Sequence, residues 1–246
     1  MMRTMTIALL GLCLFAAPAT AQAWPQRMWV TVSGGLQNAA AGGFSDSFTL
    51  QQYTETGQVA VHAPVKNGGL FAGSFGVRVW QRLGVGFMVT RSTSTGTATI
   101  DASIPHPLYD NQPRSISGSS PTHHNETGAH VQLAMLLPLS PRIRVILSGG
   151  PSMLKVEQTV VSNVQYSQSY PYDTASFTSA TASLANDTVI GFNVGGDVAW
   201  MFSKSLGAGM MAQYAGGTAK LNAGGGRTVS VKAGGACVGA GIRASF

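Results

Sequence analysis

Val238-Gly239-Ala240-Gly241-Ile242-Arg243-Ala244-Ser245-Phe246 closes the chain, and its alternation decides the fold. In a period-two strand, Val238, Ala240, Ile242, Ala244 and Phe246 share one face, while Cys237, Gly239, Gly241 and Arg243 share the other. An unbroken apolar face opposite small residues and a lone charge suits lipid outside and a narrow polar lumen inside.

Working back from this segment, the same rhythm recurs. Met28, Val30, Val32 and Leu36 share a face. Phe71, Phe75, Val77 and Val79 oppose Ala72, Ser74, Gly76 and Arg78. Val85, Phe87 and Val89 oppose Gly84, Gly86, Met88 and Thr90. Ala129, Val131, Leu133, Met135 and Leu137 oppose Gly128, His130 and Gln132. Val145 and Leu147 oppose Arg144 and Ser148. Ile190, Phe192, Val194, Val198, Trp200 and Phe202 alternate with Gly191, Asn193, Gly195, Asp197 and Ala199. Leu206, Met210 and Tyr214 oppose Gly207, Gly209 and Gln213. With the closing segment this makes eight strands.

Three connections are short, near Gln81 to Leu83, Pro138 to Pro141 and Ser203 to Ser205; four are long and polar. With both termini on one side, that count predicts an all-β, antiparallel up-and-down eight-stranded transmembrane β-barrel. It has short periplasmic turns and four long extracellular loops. Trp80, Trp200, Phe202 and Phe246 all fall beside the short-turn side, where an aromatic girdle is expected. Past Gly149-Gly150-Pro151 the apolar residues change parity, to Leu154 and Val156, and a β-bulge there is the expected cause. Gln58 to Val65 and Val156 to Tyr166 keep a β-like alternation that extends the sheet beyond the membrane.

Composition agrees. Of 246 residues 44% are hydrophobic, 10% are charged and 31 are glycine, against about 25% charged in soluble domains. A soluble β-sandwich also alternates, but it shows water a charged or polar face, not one of Gly, Ala and Ser. Arg3, the apolar run from Ile7 to Ala17 and Ala21-Gln22-Ala23 have the form of a secretory signal peptide over 1–23, leaving 24–246 as the barrel domain. Only Cys237 lies beyond that segment, so no intrachain disulfide forms. The net charge is +6, yet the basic residues are scattered singly, which argues against nucleic-acid binding.

The chain resembles the small eight-stranded outer-membrane barrels of the OmpA and OmpX type. The signal peptide, the strand rhythm, the aromatic girdle and the ending Gly239 to Phe246 carry that resemblance. It implies a bacterial outer-membrane location and porin-like architecture, with outer-membrane lipid and lipopolysaccharide as surroundings. It also implies recognition of Phe246 by the barrel-assembly machinery. Ending at the barrel, the chain departs from the OmpA pattern of a following wall-binding domain, so wall anchoring is not expected.

Parity places Arg78, Arg144, Asp197 and Arg243 in the lumen near the periplasmic end, with Asp197 expected among two or three of the arginines. His130 and Gln132 join the interior set. The expected role of this cluster is to fill and lock the lumen. A narrow pore is the alternative: eight strands leave an interior just wide enough for side chains, so a large channel is not expected, and the excess of Arg over acid would favour anions along any path. His123-His124-Asn125-Glu126 suggests a metal site, but adjacent residues seldom ligate together. No spacing unites Ser, His and an acid as catalysis requires, so neither an enzyme nor a cofactor is expected. A lipid-modifying barrel enzyme, with His124 or His130 at the outer rim, is the competing class. Tyr53, Tyr109, Tyr166, Tyr170 and Tyr172, with Phe44, Phe48 and Phe177, fall in the long connections. Such residues either contact an extracellular ligand or partner, as in adhesion, or pack the loops together.

Overall fold

A computed structural model describes residues 26–39 and 43–246. The expected signal peptide, 1–23, lies outside these residues. Among them there are ten strands and no helix: β1 (Met28–Ala39), β2 (Phe44–Gln52), β3 (Glu55–Ala63), β4 (Gly68–Trp80), β5 (Leu83–Ile104), β6 (Arg114–Pro138), β7 (Ile143–Gln168), β8 (Ala175–Met201), β9 (Leu206–Gly224) and β10 (Arg227–Ser245).

Eight of them close a ring of antiparallel ladders in the order β5-β4-β1-β10-β9-β8-β7-β6, with β6 returning to β5. The first and last strands meet from Trp29↔Ser245 to Ala39↔Gly235, and Met28 and Phe246 exchange backbone hydrogen bonds. Around the lower part of this ring the outward residues are apolar and exposed: Phe71, Phe87, Val131, Leu133, Val194 and Ile242 among others. The chain surrounds itself with a greasy belt, which only lipid can cover.

Above the belt the wall changes. The hairpin β2–β3 takes over from β1 and β4, with β3 pairing β5 from His62↔Thr99 to Gln58↔Ser103. Two ladders stop here: β6–β7 ends at His124↔Gln158 and β8–β9 at Phe192↔Gly216. Three seams result, each bridged by side chains. The His123 N–H donates to Thr159 Oγ1 across β6/β7, and the Lys220 N–H donates to Asp187 Oδ2 across β8/β9. Arg227 pairs with Asp46 at 2.7 Å between β10 and β2. The interior of this upper part, the head, is an apolar core including Phe48, Val59, Ile100, Ile104, Val160 and Leu221. The β7–β8 ladder shifts register near Val161/Asn163 and Gln165/Tyr166, toward the free end of the hairpin. Phe177 lands in the space left by the absent side chain of Gly118.

Two expectations need correction. The bulge expected at Gly149-Gly150-Pro151 does not exist: the β7–β8 register runs unshifted from Ile143↔Trp200 to Val161↔Ala182. Leu154 and Val156 point inward and are fully buried. The strand keeps its phase; the environment changes, because above the membrane the greasy side is the inside. The four long loops are, for most of their length, strand. The connectors that lie wholly within the described residues there are 53–54, 64–67, 105–113, 169–174 and 225–226.

Candidate functional site

The lumen is filled from the bottom upward. Trp29, on an inward position of β1, lies against Gly76 and Gly84, where an added Cβ would sit 2.0 and 2.9 Å from its ring. With Ala134, Leu136 and Ile146 it forms an apolar plug. Beside this plug Arg243 is 1% exposed; its Nη2 meets Asp197 Oδ1 at 2.6 Å and its Nε donates to Thr31 Oγ1. Arg144 is buried on β7 opposite Ala199, a diagonal neighbour of Asp197. The structure therefore brings Arg243, Asp197 and Arg144 together. Arg78 lies at the periplasmic end of β4, half-exposed. Next to the ion pair a cavity of about 40 Å³, lined by Ser33, Ser74, Gln132, Ser148, Asp197 and Gln213, is on the scale of a few water molecules.

His130 lies in a separate, higher network. Its ring nitrogens meet Thr90 Oγ1 at 3.0 Å and Ser152 Oγ at 2.7 Å. Asn193 donates to Ser152 Oγ and to the Gly150 carbonyl and accepts from Gln132 Nε2. Higher still, buried Glu126 accepts from Gln37 Nε2 at 3.1 Å and from the Gly234 N–H at 2.8 Å. Gly234 has φ +91°, and a Cβ there would meet the Ala215 carbonyl at 2.1 Å. Only glycine turns this N–H into the lumen. His124 Nε2 is 3.8 Å from Glu126, while His124 Nδ1 meets Gln158 Oε1 at 2.8 Å. Strand parity splits the suspected metal motif, with His124 and Glu126 inward and His123 and Asn125 on the other face.

Glu126, Gln37, Asn193, Ser152 and Gln158 were not singled out as a set by the sequence. The inward parity of Glu126, Gln37 and Asn193 was readable, whereas the parity change expected after Pro151 turned Ser152 and Gln158 outward, and the partners of all five come from strands far apart in the chain.

The second concentration of chemistry is the tip of the head. Arg114, 7% exposed, donates from Nη1 to the Tyr172 carbonyl and from Nη2 to the Pro105 carbonyl, tying connector 105–113 to 169–174. Glu55 accepts from the Asn111 N–H at 2.7 Å, and Gln168 donates to the Tyr53 hydroxyl. Three connectors are thus fastened to one another. Tyr170 is 79% exposed and packs edge-on to Tyr172; Tyr109 stacks against His106. Phe44, Phe48, Tyr166 and Phe177 belong to the apolar core or pack on it. Burial pushes the Tyr166 hydroxyl above its ordinary value, and it donates to Gln52. At the opposite end Trp80, Trp200, Phe202 and Phe246 are all exposed beside the short turns.

The outer membrane protein OprG from Pseudomonas aeruginosa matches over 90% of this chain and 97% of its own, with a TM-score of 0.50 at 10% identity. By fold, this is an outer-membrane β-barrel. Neisserial surface protein A matches over 89% of this chain and 97% of its own, at 10% identity and TM-score 0.46. The outer membrane protease OmpT from Escherichia coli matches over 94% and 100%, at 9% identity and TM-score 0.49. No protein-family model and no curated protein sequence matches the chain. The fold and the lipid-facing belt place the chain in the bacterial outer membrane.

Proposed function

We propose that the chain is a non-enzymatic surface-contact barrel that binds an extracellular partner through the tip of its head. The observation that carries this reading is the fastening of connectors 53–54, 105–113 and 169–174 by Arg114, Glu55 and Gln168. Exposed Tyr53, Tyr109 and Tyr170 are thereby presented on a rigid base. Tyrosines held this way offer large contact area with little ordering cost on binding.

The other two readings have less support. A lipid-modifying enzyme would want its histidines toward lipid, whereas His124 and His130 are buried inward. A pore would need a path past Trp29, Arg243 and Leu136, all nearly fully buried, and through the apolar core of the head.

The test replaces Tyr53, Tyr109 and Tyr170 together by Ser. Cells displaying this variant should adhere to epithelial monolayers no better than cells lacking the protein, at equal surface levels. Undiminished adherence would end the proposal, as would discrete single-channel conductance from the purified chain in planar bilayers.

A further inference from the structure

The outer flank of the head carries a face that neither the lumen nor the tip accounts for. There β2, β3, β5 and β6 lie side by side. Their inward residues, Phe48, Val59, Ile100 and Ile116 among them, are sunk in the apolar core. Their outward residues fall in register across all four strands. One row reads Thr49, Gln58, Ser103 and Ser115, and the next reads Ser47, Ala60, Asp101 and Ser117. Strand spacing makes each row about 14 Å long and sets the rows about 7 Å apart. Over them lies a cavity of about 400 Å³, within the range of about 300–1,000 Å³ for small-molecule sites. Ala60 puts only a methyl group between Ser47 and Asp101, which opens the depression.

The chemistry of this groove is narrow. Among the described residues that line it there is no Lys or Arg, and Asp101 is the one acid. The Ser117 hydroxyl donates to Asp101 Oδ1 at 2.6 Å. That steadies the carboxylate and leaves Oδ2 to accept from a ligand. The hydroxyls of Ser47, Ser103 and Ser115 and the amide of Gln58 can each both donate and accept. A carboxylate with no cation beside it repels sulfated, phosphorylated and acidic ligands. A cationic ligand would find a single exposed counter-charge in water, which is worth little. The two rows hold no aromatic or large aliphatic side chain, the kind of anchor that a protein partner needs. The ligand that fits is uncharged, donates to a carboxylate and exchanges hydrogen bonds with hydroxyls. Those are the properties of a neutral sugar, whose C–H face can rest on the Ala60 methyl.

Height sets the source. Val89, the last apolar outward residue of β5, is twelve residues below Asp101. That is about 40 Å along the strand and about 30 Å in height at the tilt of a barrel. The groove thus stands clear of the bilayer, on the flank of the part that meets an approaching surface. We infer that it is a binding site for a neutral oligosaccharide of an opposing surface, with Asp101 as the central acceptor. The apolar core behind the sheet keeps the site preformed, so binding orders little. Tyr53, Tyr109 and Tyr170 do not line it, and the site is independent of the tip.

The test passes the full mature chain, fluorescently labelled in detergent, over printed glass. The print carries neutral oligosaccharides ending in glucose, galactose, mannose or N-acetylglucosamine, beside sulfated and sialylated counterparts, oligolysine and bare glass. At least one neutral oligosaccharide should hold the chain, and the same sugar free in solution should release it. Asp101→Asn should weaken that retention about tenfold, and Ala60→Phe, which fills the depression, should abolish it. Tyr53→Ser/Tyr109→Ser/Tyr170→Ser should bind the sugar as the unaltered chain does, whatever becomes of adherence. Unchanged protease resistance of the head confirms that each variant folds. Retention of no neutral sugar above bare glass would overturn the inference. So would retention confined to the sulfated and sialylated sugars or to oligolysine, and so would undiminished binding by the Asp101 and Ala60 variants. Tighter binding to polysaccharide purified from the parent cells would overturn the opposing-surface assignment.

Discussion

The lower and upper halves of this barrel are made by the same strands with their faces exchanged. On β5 the outward residues run Val85, Phe87, Val89 and then Arg91, Thr93, Thr95, Thr97, Thr99; the inward ones run Gly84, Gly86, Met88, Thr90, Ser92, Ser94 and then Ala98, Ile100, Ala102, Ile104. No residue is inserted at the crossover. The pleat sends alternate side chains to opposite faces whatever surrounds it, so the medium alone decides which face is greasy. In lipid the apolar set faces out and the lumen is polar. In water the set faces in, as in any soluble sheet.

That contrast can be broken most forcefully from inside the head. Ile100→Asn removes a fully buried side chain and strands an amide in an apolar core, at a cost of about 4–5 kcal/mol. Proteolysis should then cut the head while heat-dependent gel migration still reports a closed barrel below; simultaneous loss of both would mean the halves fold as one unit. In the lower half the equivalent lesion is electrostatic. Asp197→Ala leaves the guanidinium of Arg243 without its 2.6 Å partner. Because Asp197 is itself partly exposed, the expected cost lies toward the lower end of about 3–5 kcal/mol, read as a lower urea midpoint for barrel opening. A matched pair sharpens the comparison further. Val194→Arg on the belt should cost about 2–3 kcal/mol, whereas Thr97→Arg, at an equally outward position in the head, should change the same midpoint by less than about 0.5 kcal/mol. Equal effects would remove the claim that lipid covers one surface and water the other.

Much of the lower half was legible because the alternation there has one meaning. The outward residues of the segments around Phe71, Phe87, Val131, Val194 and Ile242 face the side their parity indicated. Arg243 and Asp197 meet, as a barrel with charges on both neighbouring walls requires. The head was harder to read. A parity rule calibrated on lipid takes Leu154 and Val156 for outward residues and invents a bulge to explain them. The same rule takes Thr- and Ser-rich strand for loop. The polar lumen set around Glu126, Gln37 and Gly234 depends on β1, β6 and β10 coming together, a closure that no local pattern contains.

The seams of the head have a further consequence. Below them, a cylinder of backbone hydrogen bonds has no free edge, and opening it at one place means breaking a whole ladder at once. Above them, the wall is three curved pieces: β2-β3-β5-β6, β7–β8 and β9–β10. Oil in the middle and a few side-chain stitches keep them together: Thr159, Arg114, Gln168 and Tyr166 join the first piece to the second, Asp187 joins the second to the third, and the Asp46–Arg227 pair joins the third to the first. Such a crown can part like petals at one joint while the stem beneath it stays shut.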